Sequence, residues 1–444
     1  MLIFYTLLLG YTLIHLAGIH SWKTTVQLNP GCTSECHKFN LVYVSSRNET
    51  LSVHNLFSAS ERFTPSVLVA VSHNPNANLN IDWGRLKDPQ QAITIEDVSQ
   101  SYGIVFSRLV EYDDKNDSAD MTHISDDPTT YRIHHMGNWS WKLANFSETH
   151  PKVLKDDEIF NVEFVANGTD DIFSKGGEVN LKFMISNGKQ RGSLPPHLLF
   201  LPGLTTQFEM ILNNLVTSLK HARFGVQMAL ISNNSIPDSM DFRRVAQYSI
   251  DDETTPGIFE MVNLLLNEQA DQKSTVAPIR SYPPAFMQLR PVCYTASDER
   301  NIKSSRGAKI GLTQQRLNSS EQTLLSRSMP YTVFGDRMDP AEFPTKKGVN
   351  SVGIRLQNFS MGTPEDLFYE NSKYLVWTGS YGIGEPPEET LSSLLIGLII
   401  FCAVVMATAF LFGALLIIIL KRRQRAIQFA VMPEPEESVD PKLA

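Results

Sequence analysis

The chain has 444 residues, of which 39 are Lys or Arg and 47 are Asp or Glu, so its formal net charge at neutral pH is −8. The tail after Leu420 carries five bases and four acids, so the part before it carries −9 by subtraction. This acidic balance disfavours nucleic acids and anionic membrane surfaces as ligands of that part. The length allows one large domain or two ordinary ones.

The first 20 residues are apolar and contain no acidic residue. A short apolar stretch is typical of a secretory signal peptide, and Ala17 and Gly18 supply small residues near a cleavage point. The stretch has no Lys or Arg at its start, which most signal peptides have. An uncleaved second span is the alternative, which the short length disfavours. We therefore predict a signal peptide over residues 1–20.

Alternating apolar and polar residues dominate the chain from residue 21 onward and predict strands with one buried face. In an N-terminal region, residues 21–195, alternation or a continuous apolar run occurs at 39–44, 65–71, 79–83, 102–106, 160–164 and 179–185. In a C-terminal region, residues 196–388, it recurs at 208–212, 224–230, 352–356 and 374–377. We predict that strands 208–212 and 224–230 pair. The predicted fold class is mainly β, a sandwich-like lumenal ectodomain with few helices.

One helix is predicted in this ectodomain, near residues 256–268. Thr255 has the residue type of an N-cap, and Pro256 suits the first helical position. Apolar residues then follow at the spacing of one helical face, namely Ile258, Met261, Val262 and Leu265. Residues 296–330 are rich in Ser, Arg, Lys and Gln and predict a long exposed loop.

Residues 391–420 are thirty residues without a charge, followed at once by Lys421, Arg422, Arg423 and Arg425. About 20 apolar residues in a helix cross the core of a bilayer, so this run predicts a transmembrane helix. The basic residues behind it predict a cytosolic tail over residues 421–444. Together with the signal peptide, the span predicts a single-pass type I membrane protein.

The predicted span also contains candidate helix-packing residues. Small residues four apart let two helices approach closely, and here they are Ala403 and Ala407, and Ala409 and Gly413. Such pairs are frequent in any span rich in Ala and Gly. They indicate how a single helix can dock on a partner inside the membrane.

Sugar acceptors indicate where the bulk of the chain is located. The tripeptide Asn-x-Ser/Thr occurs eight times before the span and never in the tail. Each tripeptide alone is common by chance, but eight together predict a secreted, glycosylated segment with exposed acceptors. The candidate glycosylation sites are Asn48, Asn116, Asn138, Asn145, Asn167, Asn233, Asn318 and Asn358.

Cysteine is scarce for a secreted chain. Apart from Cys402 in the span, the candidates for a disulfide are Cys32, Cys36 and Cys293. A bond between Cys32 and Cys36 closes a small loop and leaves Cys293 free, whereas pairing of Cys293 with either of the others is the alternative. The stability of the fold is therefore expected to come mainly from core burial.

Motifs that carry catalysis are missing from the sequence. No nucleophile elbow, HExxH helix or phosphate-binding loop occurs. The acids at 251–253 suit the start of the predicted helix, and those at 113–120 suit a solvated loop beside a sugar acceptor. His134 and His135 are a possible pH-responsive pair, although a solvent-facing or hydrogen-bonded pair is the more ordinary interpretation. The sequence predicts a protein that is not an enzyme and has neither a cofactor nor a metal site.

Several passages together resemble one family. Residues 248–253, YSIDDE, leading into Pro256 and Phe259, are the best match to the glycosylated lysosomal membrane protein family. Supporting passages follow in the family's order: LNIDW at 79–83, VFSRLVEY at 105–112, ANGT at 166–169, PPHLL at 195–199, LRPVCY at 289–294 and the residues 382–387 before the span. The resemblance covers nearly the whole ectodomain.

The resemblance implies a lysosomal membrane location and a function. Members of this family are heavily glycosylated accessory subunits of a lysosomal major-facilitator transporter that exports dipeptides. They form a heterodimer with it and protect it from lumenal proteases. The same role is therefore expected here. A membrane-tethered lumenal hydrolase and a receptor or adhesion ectodomain are the alternatives.

The chain departs from the family pattern at two places. Vertebrate members carry additional lumenal cysteines in the segments that match residues 206–209 and 236–240, and this chain has none there. The family tail also carries a tyrosine-based sorting signal, whereas residues 421–444 contain no tyrosine. Phe429 and Met432 have the residue types and spacing of a degenerate substitute, and ordinary tail sequence is the alternative.

Overall fold

The computed structural model describes residues 22–33, 36–87, 92–119, 121, 127–144, 146, 150–156, 158–187, 190–191, 199–200, 205–233, 243–250, 257–265, 285–290, 310–313, 319–338, 352–360, 368–384, 386 and 393–430. The predicted signal peptide, residues 1–20, lies outside this part. The chain forms two compact units, residues 1–387 and residues 388–444.

Strands make up most of the first unit. They are β1 (Lys23–Leu28), β2 (Val42–Arg47), β3 (Ser52–Ser58), β4 (Ser66–Ser72), β5 (Leu79–Ile81), β6 (Ile93–Ile95), β7 (Val98–Asp113), β8 (Tyr131–His135), β9 (Ser140–Ala144), β10 (Lys152–Val153), β11 (Ile159–Asn167), β12 (Glu178–Ser186), β13 (Gln190–Arg191), β14 (Leu199–Phe200), β15 (Thr205–Asn213), β16 (Ala222–Ser232), β17 (Arg243–Ile250), β18 (Gly257–Leu265), β19 (Ala285–Arg290), β20 (Ile310–Thr313), β21 (Gly353–Ser360) and β22 (Tyr374–Ile383). The helices of the described chain are α1 (Ser319–Ser326), α2 (Met329–Phe334), α3 (Tyr369–Ser372) and α4 (Ser393–Ala430).

Two large antiparallel sheets organise the unit. Among the described residues, ten strands form the first sheet, in the order β10-β1-β2-β3-β4-β7-β16-β21-β20, with β8 paired to β7. Eight strands form the second sheet, in the order β17-β18-β19-β22-β15-β12-β11-β9. Strands from both sides of residue 195 pair within each sheet. The two predicted β-rich regions therefore build one compact unit together.

The main core lies between the two sheets. Phe57 on the first sheet and Phe183 on the second have ring centroids 4.8 Å apart, and Phe106 and Phe208 face each other across the same gap at 5.6 Å. All four side chains are buried. Face-to-face packing of two sheets through alternate residues is the geometry of a β-sandwich. The predicted fold class is confirmed.

A second core covers the outer face of the first sheet. Leu325, Met329 and Phe334 from α1 and α2 pack there with residues of β2, β3, β4 and β7. The contact is close: a Cβ on Gly103 of β7 would lie 2.1 Å from Cγ of Pro330, so only glycine fits beneath the helix. The prediction of an exposed loop over residues 296–330 is therefore wrong for α1 and the residues that follow it. The prediction failed because a helix that contacts the sheet along one narrow side needs only a few apolar residues, so its sequence is mostly polar.

The predicted helix near residues 256–268 is corrected. Residues 257–265 form strand β18, which pairs with β17 and β19, and the remainder of the predicted range lies outside the described residues. The segment is nearly continuously apolar, so its residues match a helical spacing as well as a strand. Its β-branched and aromatic residues, Ile258, Phe259 and Val262, favour a strand, and pairing with two neighbours stabilises it as one.

The predicted pairing of strands 208–212 and 224–230 is also wrong. Both segments are strands, but β15 pairs with β12 and β22 in the second sheet, whereas β16 pairs with β7 and β21 in the first. The segment between them crosses from one sheet to the other. It is fixed on the way, because the Leu215 amide donates to the Tyr369 hydroxyl at 3.0 Å.

Candidate glycosylation, disulfide and membrane sites

Three candidate sugar acceptors are exposed in the described part of the chain. Asn116 lies between β7 and β8, Asn138 ends a short 3₁₀ helix before β9, and Asn167 is the last residue of β11. Two further acceptors are half-buried: Asn48 follows β2, and Asn233 follows β16. Asn145 and Asn318 lie outside the described residues.

The two half-buried acceptors are held through their side-chain oxygens. Asn48 Oδ1 accepts hydrogen bonds from the Thr50 amide, the Thr50 hydroxyl and the Leu51 amide. Asn233 Oδ1 accepts from the Ser101 amide at 3.1 Å. Neither contact uses the amide nitrogen, which is the atom that carries a glycan. Both positions are therefore compatible with attachment.

Asn358 has a different environment from the other described acceptors. It is only 1% exposed and lies in the interior of β21, between Gln227 of β16 and Gly311 of β20. Its Oδ1 accepts a hydrogen bond from Gln227 Nε2 at 3.0 Å. A glycan is bulky and belongs on a surface. This site in the folded sheet has no room for one.

We therefore expect the exposed acceptors to carry glycans and Asn358 to carry none. Enzymatic glycan release in heavy-oxygen water converts each occupied Asn to a labelled Asp, which peptide mass spectrometry detects. The label is expected at Asn116, Asn138 and Asn167, and the Asn358 peptide is expected with its unmodified mass. A labelled Asn358 in folded protein would contradict the register of β21 between β16 and β20.

The structure joins Cys32 and Cys36 in a disulfide, with their Cα atoms 6.0 Å apart. Of the alternatives left open by the sequence, the short loop is the one that forms. Cys36 is buried among the residues of the outer core, with Phe39 and Leu41. Cys293 lies outside the described residues.

Residues 393–420 of the predicted membrane span form part of helix α4, and residues 391 and 392 lie outside the described residues. Residues 397–427 form a helical segment long and apolar enough to cross a membrane. The four small residues, Ala403, Ala407, Ala409 and Gly413, are exposed on it. The helix backbone continues through Phe429, and Met432 lies outside the described residues. Whether these two residues act in sorting stays a prediction.

A buried ionic group joins the segment after β7 to β16, and sequence reasoning missed it. Arg223 Nε donates to Asp114 Oδ2 at 2.7 Å, and its Nη2 donates to Asp117. Arg223 and Asp114 are each about 4% exposed, and the Phe368 ring lies over the guanidinium at 5.0 Å. The interpretation of these acids as a solvated loop is wrong for Asp114. No local signal exists, because the partner arginine is 109 positions away.

Glu111 is a second buried acid near this group. One of its carboxylate oxygens accepts from the amides of Ser218 and Leu219, at 2.6 and 2.8 Å. These bonds fix the segment that crosses between the sheets. Burial raises the pKa of Glu111, and the two amide donors oppose this only in part. Acidic conditions therefore favour the burial of this side chain.

His54 lies in a buried polar chain on the outer face of the first sheet. Its Nδ1 is 2.6 Å from the Tyr43 hydroxyl and its Nε2 is 2.9 Å from the Ser52 hydroxyl. A neutral imidazole has one donor and one acceptor nitrogen, so it satisfies both contacts. Burial, together with the positive charge of Arg47, lowers the pKa of His54 from 6.5 to about 4.

This shift predicts how stability depends on pH. Between pH 6.5 and about 4, the unfolded chain binds a proton at His54 that the folded chain excludes. The contribution of His54 to the free energy of unfolding is therefore fully present above pH 6.5. It falls by about 1.4 kcal/mol per pH unit between pH 6.5 and about 4. We expect His54→Asn to flatten this slope. Urea unfolding of both proteins at several pH values measures it, and an equal slope in the two would contradict the assignment.

His134 and His135 are only partly exposed to solvent. Both are partly buried in β8, and within the described part His134 Nε2 and His135 Nδ1 have no hydrogen-bond partner. Burial lowers the pKa of each residue, and Arg108 adds to the effect at His135. The neutral form of both rings is therefore favoured. The idea of a charged pair near neutral pH gains no support from this geometry.

The described residues contain no group of three or more His, Cys, Asp or Glu side chains arranged to hold a metal ion. The buried acids instead contact Arg223 or backbone amides. These contacts give the buried acids a structural role.

Comparison with known proteins gives a consistent result. The model of the family described as "Glycosylated lysosomal membrane protein" matches residues 40–425. Glycosylated lysosomal membrane protein B of Xenopus laevis is 26% identical over 403 residues, covering 88% of this chain and 89% of the frog protein. The Homo sapiens protein of the same family name is 24% identical over 410 residues, covering 89% and 87%. The family name describes membrane glycoproteins, and no catalytic family is indicated. Together with the β-sandwich, the exposed sugar acceptors and the apolar helix α4, this match over most of its length places the chain in the glycosylated lysosomal membrane protein family.

Proposed function

We propose that the chain is the non-enzymatic accessory subunit of a lysosomal major-facilitator transporter that exports dipeptides. It forms a heterodimer with the transporter, stabilises it and shields it from lumenal proteases with a glycosylated cap. The protein is anchored as a type I membrane protein, with its sandwich in the lumen. The family resemblance supports this role.

The observation that carries the proposal is the surface of α4. Its apolar side chains from Leu398 to Leu420 are exposed along the helix, and none of the membrane-spanning window is buried. Such a helix needs lipid or other helices around it. Its small residues allow close packing against a helix of a partner. A multispanning transporter supplies such helices.

The sandwich supports the shielding role. Outside α4, and among the residues whose side-chain burial the structure describes, the large hydrophobic side chains that are exposed are Val98 and Val153. Asn116, Asn138 and Asn167 present sugar acceptors on the surface of the sandwich. Hydrated glycans on a tightly packed sandwich obstruct the approach of a protease to both the cap and the protein beneath it.

The test is a pull-down of the full-length tagged chain from lysosome-enriched membranes in mild detergent, followed by mass spectrometry. Recovery of one major-facilitator transporter in near-equal amount is the expected result. Recovery of the intact, lysosomal chain without any transporter would overturn the proposal.

Helix variants show whether α4 makes the contact. At 100° per residue, Ala403 and Ala407 lie on a different face of the helix from Ala409 and Gly413. The double variants Ala403→Leu/Ala407→Leu and Ala409→Leu/Gly413→Leu are therefore matched controls for each other. One of them is expected to lose the transporter and the other to retain it. If both double variants retain the transporter fully, the contact lies outside these two faces of the helix.

A further inference from the structure

One edge of the second sheet is formed by β9, residues Ser140–Ala144. This strand pairs with β11 on one side, and it is the last strand in the described order of its sheet. Its pairing to β11 runs over five residues without a register irregularity. An edge strand of this kind presents backbone donors and acceptors that another chain can pair with.

Three of the other edge strands have features that hinder pairing with another chain and that β9 lacks. In the described part of the first sheet, the edge strands β10 and β20 are short, with two and four residues. The third edge strand there, β8, has five residues and pairs with β7 alone. At the far edge of the second sheet, the pairing of β17 is interrupted by a register shift between Val245 and Tyr248. Short strands and irregular pairing are known ways to block edge-to-edge association. In β9, a single exposed lysine, Lys142, is the corresponding feature.

Two exposed sugar acceptors lie at this edge. Asn138 precedes β9 by two positions. Asn167 of β11 is the direct register partner of Ser140, the first residue of β9. Strand alternation places Asn167 on the outer face, because Ala166 beside it is buried in the core. The acceptors are far apart in sequence, and only the fold brings them together.

The Asn138 acceptor is held rigidly. Trp139, the middle residue of its tripeptide, is 2% exposed, and its Nε1 donates to Asp170 at 2.8 Å. Trp141 of β9 donates from Nε1 to the Met136 carbonyl, also at 2.8 Å. These two bonds tie both ends of the turn that carries Asn138. A glycan on this residue is therefore attached at a fixed position beside the strand.

We propose that glycans on Asn138 and Asn167 cover the β9 edge and prevent a second copy of this chain from pairing with it. A paired strand lies about 4.8 Å away, and a bulky glycan at this position excludes it. The glycans then add to the limited protection that Lys142 gives this edge. This role goes beyond the shielding of a transporter and does not depend on one.

The test uses two full-length copies with different tags, expressed together and co-precipitated from detergent. Asn138→Gln/Asn167→Gln is expected to raise co-precipitation of the two copies above the wild-type level. Asn48→Gln/Asn116→Gln removes the same number of acceptors at sites outside the second sheet and is expected to stay at the wild-type level. No gain in the first variant, or an equal gain in both, would overturn the proposal.

Two further variants separate edge pairing from misfolding. Ala144→Lys adds a second charge on the same face of β9 as Lys142, and in the Asn138→Gln/Asn167→Gln background it is expected to restore the wild-type level. Lys142→Cys in that background is expected to give a disulfide-linked dimer on a non-reducing gel, and with both glycans present it is expected to give none. If the copies associate because the chain unfolds, Ala144→Lys will not lower their co-precipitation. That result would overturn the proposal. These results do not depend on whether the pull-down recovers a transporter.

Discussion

Replacing Arg223 by Met is expected to lower the free energy of unfolding by about 3–5 kcal/mol. Arg223 is 4% exposed and contacts two acids of the segment after β7, Asp114 and Asp117. Removing the guanidinium leaves the Asp114 carboxylate buried without its counter-charge. An uncompensated buried charge costs far more than the loss of a surface ion pair.

The neighbours of Asp114 make this effect specific. Its carboxylate also accepts from the amides of Ser118 and Ala119, at 2.9 and 2.8 Å. The Ser360 hydroxyl donates in turn to the Ala119 carbonyl. The ionic group therefore fixes the segment after β7 against β16 and β21. We expect its loss to loosen that end of the first sheet.

Urea unfolding of the full-length protein in detergent, followed by tryptophan fluorescence, measures the change. Lys115→Met is the control, because Lys115 is 66% exposed and its pair with Asp113 is expected to be worth about 1 kcal/mol or less. Adding Asp114→Asn to Arg223→Met removes the unpaired charge and is expected to recover part of the loss. Equal losses in Arg223→Met and Lys115→Met would show that the buried pair contributes no more than a surface one.

The sequence predicts strand interiors well because alternation is a local property. In β11, Phe160, Val162 and Phe164 are buried while Asn161 between them is exposed. Alternation reports that one face is covered, but it does not identify the neighbouring strand. The segments of β15 and β16 therefore suggested a hairpin, although they belong to different sheets. Their partners are set by contacts with strands distant in the sequence.

The candidate sites have the same limit. An Asn-x-Ser/Thr tripeptide defines an acceptor, but Asn358 has this motif in the middle of a paired strand while Asn167 has it at an exposed strand end. Charge type alone suggests solvent exposure for Asp114, whose arginine is distant in the sequence. The approach of Asn138 to Asn167 likewise depends on the pairing of β9 with β11. Local patterns identify the residues, and the topology decides which of them act together.

Replacing Phe183 by Ala is expected to destabilise the sandwich by about 3–5 kcal/mol. Phe183 of β12 is 1% exposed and contacts rings of both sheets. Its centroid lies 4.8 Å from that of Phe57 and 6.4 Å from that of Phe106, both on the first sheet, and 6.3 Å from that of Phe164 on its own sheet. Truncation removes apolar burial and leaves a cavity where the two sheets meet.

Phe146→Ala is the matched control for this substitution. The Phe146 ring is only partly buried and packs at the margin of the same core, 5.2 Å from Phe160. Surrounding water can fill the space it leaves, so a loss well below that of Phe183→Ala is expected. Both variants are compared by urea unfolding against the wild-type protein. Comparable losses at the two positions would mean that the sheets are not held together through Phe183, and that the inter-sheet core is less tightly packed than its ring contacts indicate.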